Sequence, residues 1–334
     1  MCGIVGIVGK QQAENVLLQG LERLEYRGYD SAGIFVADRT SSHLVKAQGR
    51  IQNLADKLTP EVTGTIGIGH TRWATHGKPS EVNAHPHTSA SGRLVLVHNG
   101  VIENFDDLHQ TYLAKDVLKG QTDTEIVVHL IETLMIQEQL TTKEAFKKAL
   151  SLIQGSYAFA LVDVKDPTVI YVAKNKSPLL IGIGDGFNVV CSDAMAMIDQ
   201  THEFLEIADG EMVIVTNNSV AIYDMAGRSV QRESYQAQLD LSDIEKGTYP
   251  YYMLKEIDEQ PAVMRRLVQE YRQADGEIHI DPALVSELAA SDRVYIVACG
   301  TSSHAGWAAK RFFEELTQIP VEIHLSSEFG YNLP

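Results

Sequence analysis

Met1-Cys2-Gly3-Ile4-Val5-Gly6-Ile7-Val8-Gly9-Lys10 opens the chain. Residues 2–8 read as a short buried strand, too short an apolar run for a signal peptide or a membrane span and without a basic leader. What sets the stretch apart is the place of Cys2. With Met1 removed, one residue carries both a thiol, titrating near ~8.5, and a free α-amine, titrating near ~8. The amine can take the thiol proton, so nucleophile and base sit on the same residue. The competing reading makes Cys2 a small apolar residue that opens a strand.

Working outward, Gln11 to Tyr26 places Val16, Leu17, Leu21 and Leu24 at helical spacing, and Arg27 to Gly33 breaks that pattern as a loop. Strands are predicted over 34–38, 43–48, 65–70 and 93–98, and helices over 104–114, 123–138 and 142–153. Short β-like runs follow at 157–164, 168–174, 179–184, 187–192, 212–216 and 220–223. Strands at such intervals, with Gly, Asp and Asn between them, predict antiparallel sheets, and the helices predict layers covering them. Polar and turn residues from 236 to 250 read as a linker. Beyond it, Met253 to Tyr271 reads as helix apart from Pro261, and Asp281-Pro282 reads as an N-cap with proline at the first helical position. Arg293 to Ala298 is a near-continuous apolar run, as in a parallel strand buried on both faces. Cys299-Gly300-Thr301-Ser302-Ser303, an amphipathic helix and a strand over 321–325 complete a βαβ start.

Composition narrows the function classes. The formal net charge of −16 disfavours non-specific binding to nucleic acid or anionic membrane. Three distant cysteines form neither a disulfide framework nor a metal-ligand spacing, and a reducing cytoplasm fits them. His85 and His87 lack further ligands at suitable spacing, so no metal and no cofactor are expected.

The chemistry-bearing residues come in four groups. Arg72 offers a planar fork for a carboxylate, or is a solvated surface arginine. His98-Asn99-Gly100 ends a strand; Asn-Gly is first a hairpin signal, and otherwise an oxyanion hole built from a side-chain amide and an unhindered glycine N–H. Thr122-Asp123-Thr124-Glu125 reads as a capped helix start, and Asp123 there could also bind an ammonium. With the Cys2 thiol, these groups supply what an α-amino acid bearing a side-chain amide requires.

At these residues the chain resembles the glutamine–fructose-6-phosphate aminotransferases, also called glucosamine-6-phosphate synthases. The resemblance is carried by Cys2 to Gly6, Leu24 to Gly33, His70 to Gly77, Asn83 to His87, Asn99-Gly100, Tyr252 to Ile257 and Ala298 to Ser302. It implies a four-layer α/β/β/α N-terminal-nucleophile glutaminase domain over 2–235, a linker over 236–250, and the start of an αβα sugar-isomerase domain over 251–334. It implies that Cys2 attacks glutamine and forms a γ-glutamyl thioester, with Asn99 and Gly100 as the oxyanion hole. Arg72 would hold the glutamine carboxylate and Asp123 its amine, with Thr75 and His76 lining the pocket and Trp73 gating an ammonia channel. Thr301 and Ser302 would bind the phosphate of fructose 6-phosphate, in a sugar site that 334 residues do not complete. A cytoplasmic enzyme that is a homodimer at full length is the resulting expectation. Other amidotransferases of the same nucleophile class, and a phosphosugar-binding regulator with an inert Cys2, are the rival readings.

Overall fold

Apolar side chains at every second position of Gly3–Val8 face two different ways. In the computed structural model, Ile4 and Val8 enter one apolar cluster and Val5 and Ile7 another. A strand buried on both faces must lie between two layers, and the rest of the first half builds them. The structure describes residues 2–10, 12–73, 77–114, 116–238, 247–272 and 276–330. The chain divides into two compact units, Met1–Met253 and Leu254–Pro334.

In the first unit the strands are β1 Gly3–Val8, β2 Ser31–Ala37, β3 Ser42–Gln48, β4 Ile66–Arg72, β5 His87–Thr88, β6 Leu94–Ile102, β7 Gly155–Asp163 and β8 Asp166–Asn175. They continue with β9 Leu180–Ile183, β10 Asn188–Cys191, β11 Glu203–Glu206, β12 Glu211–Val215, β13 Val220–Tyr223, β14 Ser229–Val230 and β15 Tyr235–Gln236. The helices are α1 Ala13–Leu24, α2 Ile51–Ala55, α3 Phe105–Tyr112, α4 Asp123–Glu138 and α5 Thr142–Leu152. Two antiparallel sheets result, in the orders β15-β11-β9-β10-β1-β4-β2-β3 and β14-β13-β12-β8-β7-β6-β5.

Three apolar clusters hold four layers together. Val16, Leu17, Leu21 and Leu24 of α1 pack on the outer face of the first sheet. Ile4, Phe35 and Ile68 of that sheet meet Val95, Val97 and Val172 of the second between the sheets. Ile131, Leu134 and Phe146 of α4 and α5 cover the second sheet's outer face. The architecture is the expected α/β/β/α stack. Each fully buried Leu, Ile or Val contributes about 1.5–3 kcal/mol.

Some local readings need correction. The strand expected from residue 34 begins at Ser31, because the Arg27–Gly33 loop gives way to pairing of Ser31 with Arg72. Asn99-Gly100 makes no hairpin: β6 runs straight through it, with Asn99 opposite Ala158 and Gly100 opposite Tyr157. The short strands β5, β11, β14 and β15 were not expected.

In the second unit α6 Tyr252–Tyr271 continues through Pro261, whose missing N–H leaves the Ile257 carbonyl without its usual helical donor. Asp281 caps α7 Pro282–Ala289 by accepting from the Ala283 N–H at 2.8 Å. Strand β16 Val294–Ala298 pairs in parallel with β17 Val321–Leu325 across α8 Gly300–Thr317, and α9 Ser326–Phe329 follows. The expectation that β16 is buried on both faces fails: Tyr295 and Val297 are each 40% exposed, because the described residues cover only one side of this two-stranded sheet.

Candidate active site

Four elements of the first unit end at one cavity of about 360 Å³. Cys2 precedes β1, Arg72 closes β4 with Trp73 next to it, Asn99-Gly100 lies in β6, and Asp123 opens α4; all six line the cavity. The Cys2 Sγ accepts the Trp73 N–H at 3.2 Å and lies 3.5 Å from the Trp73 carbonyl oxygen. Burial pushes the thiol above its ordinary range, against the pull of the Trp73 N–H, the chain terminus and Arg72. A thiol held protonated in this way needs a base before it can attack.

Asn99 faces the thiol residue directly. Its Nδ2 donates to the Cys2 carbonyl at 3.2 Å, and its Oδ1 lies 2.9 Å from His70 Nε2. The His70 ring is fully buried, and desolvation drives its pKa down to about 3. Gly100 has φ +137°, and a Cβ there would stand 2.1 Å from the Ser156 carbonyl oxygen, so only glycine fits.

The cavity is also lined by two guanidiniums, Arg27 and Arg72, and by the Asp123 carboxylate. Arg72 is 4% exposed; its Nη2 lies 3.4 Å from the Gly77 carbonyl and its Nη1 4.0 Å from Asp30. Asp123 accepts the Ile102 N–H at 2.9 Å and lies 3.9 Å from His98 Nδ1. Thr122 caps α4 by accepting the Glu125 N–H, which fixes where Asp123 points. A guanidinium and a carboxylate flanking one cavity can hold a zwitterion by both ends. Trp73 is more than half exposed at the rim, and its ring lies against Gly28, where a Cβ would come within 2.6 Å of it.

Thr75 and His76 lie outside the described residues. Thr301 and Ser302 belong to the second unit, exposed in the first turn of α8. The structure adds Arg27, His70, His98, Val101, Ser177 and Pro178 to the cavity wall. Ser177 and Pro178 sit in a loop with no local signal; His70 and His98 are polar residues inside otherwise apolar strands, a mark that could have been read. His85 and His87 are buried with depressed pKa values, from desolvation and neighbouring cations. No metal-binding cluster occurs among the described residues.

Residues 70–200 match the family described as glutamine amidotransferase domain, and residues 287–334 the SIS domain family. This chain carries an N-terminal-nucleophile glutamine amidotransferase domain followed by the start of an SIS domain. Over all of its residues it is 63% identical to the glutamine–fructose-6-phosphate aminotransferase [isomerizing] of Lactococcus lactis and 62% identical to that of Streptococcus pneumoniae strain R6. It covers 55% of each, so the chain spans about half the length of these curated relatives. A glutamine phosphoribosylpyrophosphate amidotransferase from B. subtilis shares the fold at TM-score 0.61 and 24% identity, covering 96% of this chain and 65% of that one. A structure described as the allosteric regulatory enzyme of purine biosynthesis aligns at TM-score 0.57 and 26% identity, with the same coverage. The amidotransferase match contains Arg72, Asn99, Gly100 and Asp123; Cys2 lies ahead of it and reaches the same cavity through β1.

Proposed function

We propose that the first unit hydrolyses glutamine to glutamate and ammonia with Cys2 as nucleophile. In the whole protein the ammonia goes to fructose 6-phosphate and yields glucosamine 6-phosphate. The supporting observation is that the Cys2 thiol and the Asn99 amide share a cavity with the Arg72 guanidinium and the Asp123 carboxylate. Arg72 holds the glutamine α-carboxylate and Asp123 the α-ammonium, which directs the side-chain amide towards Cys2.

Sγ attacks the amide carbon while its proton passes to the α-amine of Cys2, free once Met1 is removed. The carbonyl oxygen becomes an oxyanion held by Asn99 Nδ2 and the Gly100 N–H. Collapse returns the proton to the departing nitrogen, expels ammonia and leaves a γ-glutamyl thioester. Water then attacks the thioester, releasing glutamate and restoring the thiol. Thr75 and His76 line the glutamine pocket, and Trp73 at the rim gates the way out for ammonia.

Residues 2–235 suffice for this hydrolysis. Thr301 and Ser302, at the start of an 18-residue helix, contribute to a phosphate site for the sugar, since N–H groups at a helix start favour an anion. The whole protein works in the cytoplasm as a homodimer; free thiols at Cys2, Cys191 and Cys299 agree with a reducing compartment. Glutamate and ammonia assays with glutamine and asparagine test the reading. Glutamate from glutamine, with asparagine far slower, is expected; no glutamate from either would overturn it.

A further inference from the structure

His70 lies on β4 of the first sheet and Asn99 on β6 of the second, so their contact crosses the sandwich. His70 Nε2 stands 2.9 Å from both Asn99 Oδ1 and the His98 carbonyl oxygen. Asn99 Nδ2 points the other way, to the Cys2 carbonyl at 3.2 Å. In that arrangement both groups facing Nε2 are acceptors, so Nε2 carries the proton. The opposite tautomer would set a lone pair against two oxygens. It would also bury an N–H at Nδ1, where no partner exists among the described residues. The His85 ring, stacked on His70 at 4.1 Å, holds the imidazole in its plane.

The two ends of a carboxamide are nearly the same size, so packing alone does not decide whether NH₂ or oxygen faces the thiol. The Cys2 carbonyl selects the NH₂, but it belongs to the residue that must react. The His70 bond is anchored in a strand interior instead. We propose that His70 is a positioning residue: its Nε2–H holds Asn99 Oδ1 and thereby keeps the Asn99 NH₂ turned to Cys2 as a donor to the oxyanion. The inference rests on the glutaminase reading above. Because burial holds the His70 pKa at about 3, the ring is neutral throughout the neutral range.

The test uses the full chain and four variants: Asn99→Ala, His70→Leu, His70→Gln and the His70→Leu/Asn99→Ala pair. Glutamine carries an amide donor close to the place of the imidazole Nε2. His70→Leu is expected to lower kcat about 10²-fold, the scale of a lost oxyanion donor, with KM within about threefold. His70→Gln is expected to recover most of that loss. In the Asn99→Ala background, His70→Leu is expected to cost less than about threefold more, since the two residues act as one unit. Equal losses in His70→Leu and His70→Gln, or losses that multiply in the pair, would overturn the inference and leave the glutaminase reading standing. A wild-type chain that releases no glutamate, or Asn99→Ala with wild-type kcat, would instead take down that reading and the inference with it. Should His70→Leu not fold, ¹⁵N resonances of His70 in the wild-type chain decide: a protonated Nε2 is expected, and a protonated Nδ1 contradicts the proposal.

Discussion

Asn99 and Arg72 line one cavity but act at different stages of the proposed reaction. An oxyanion donor does most of its work once charge develops on the substrate oxygen, so Asn99→Ala is expected to lower kcat about 10²–10³-fold with little change in KM. Arg72 grips a carboxylate that is charged throughout, so Arg72→Ala is expected to act mainly through KM. Steady-state kinetics of both variants check this, and the reverse pattern would contradict the assigned roles. Gly100→Ala is a different kind of change. Its Cβ would meet the Ser156 carbonyl oxygen at 2.1 Å with φ at +137°, so loss of activity with a lowered melting temperature is expected. Cys2, Arg72, Asn99 and Asp123 were legible as residue types that fit an amino-acid amide. His70 stands out in the sequence only as a polar residue inside an apolar strand; its role does not, because the imidazole takes its meaning from a partner on another sheet.

At the scale of elements, α4 fixes Asp123, and Thr122 fixes the start of α4. Thr122 Oγ1 accepts the Glu125 N–H at 3.3 Å and lies 3.0 Å from His87 Nε2. Thr122→Ala removes a cap worth about 1 kcal/mol and leaves a buried ring nitrogen without its partner, a further loss of about 1–3 kcal/mol. A melting temperature lower by several degrees, together with a raised KM for glutamine, is the expected result. Unchanged values of both would show that the cap does not position Asp123. This helix start was readable, because a Thr-Asp-Thr-Glu run ahead of apolar residues carries its own signal. Of the two readings of Asn99-Gly100, the hairpin fails, and sequence alone does not separate them, because the dipeptide looks the same whether the ladder stops or continues. What decides is pairing with β7, more than fifty residues away. The two- to four-residue strands β5, β11, β14 and β15 have too few residues for any period.

Over the whole first unit, burial of neutral imidazoles makes stability depend on pH. His70, His85 and His87 are all depressed below the ordinary value of 6.5, with His70 at about 3. Below pH 6.5 the unfolded chain takes up protons on these rings that the folded chain refuses, so stability falls as pH falls. Each ring contributes up to about 1.4 kcal/mol per pH unit between 6.5 and its folded pKa. Denaturant midpoints measured at pH 7, 6 and 5 are expected to drop with increasing slope; equal midpoints at pH 7 and 5 would contradict burial of the rings. The layered architecture was legible because strands at short intervals with helices before and after them predict covered antiparallel sheets, and the resemblance implies the four-layer stack. Exposure of β16 was not, since an apolar run does not say which of its faces is covered. The central claim is that Cys2 is the nucleophile. The most direct test compares glutamate release by the wild-type chain and by Cys2→Ala, with glutamine binding to both followed by calorimetry. Loss of several orders of magnitude in rate, with binding kept, is the expected result. Near-wild-type hydrolysis by Cys2→Ala would contradict the account.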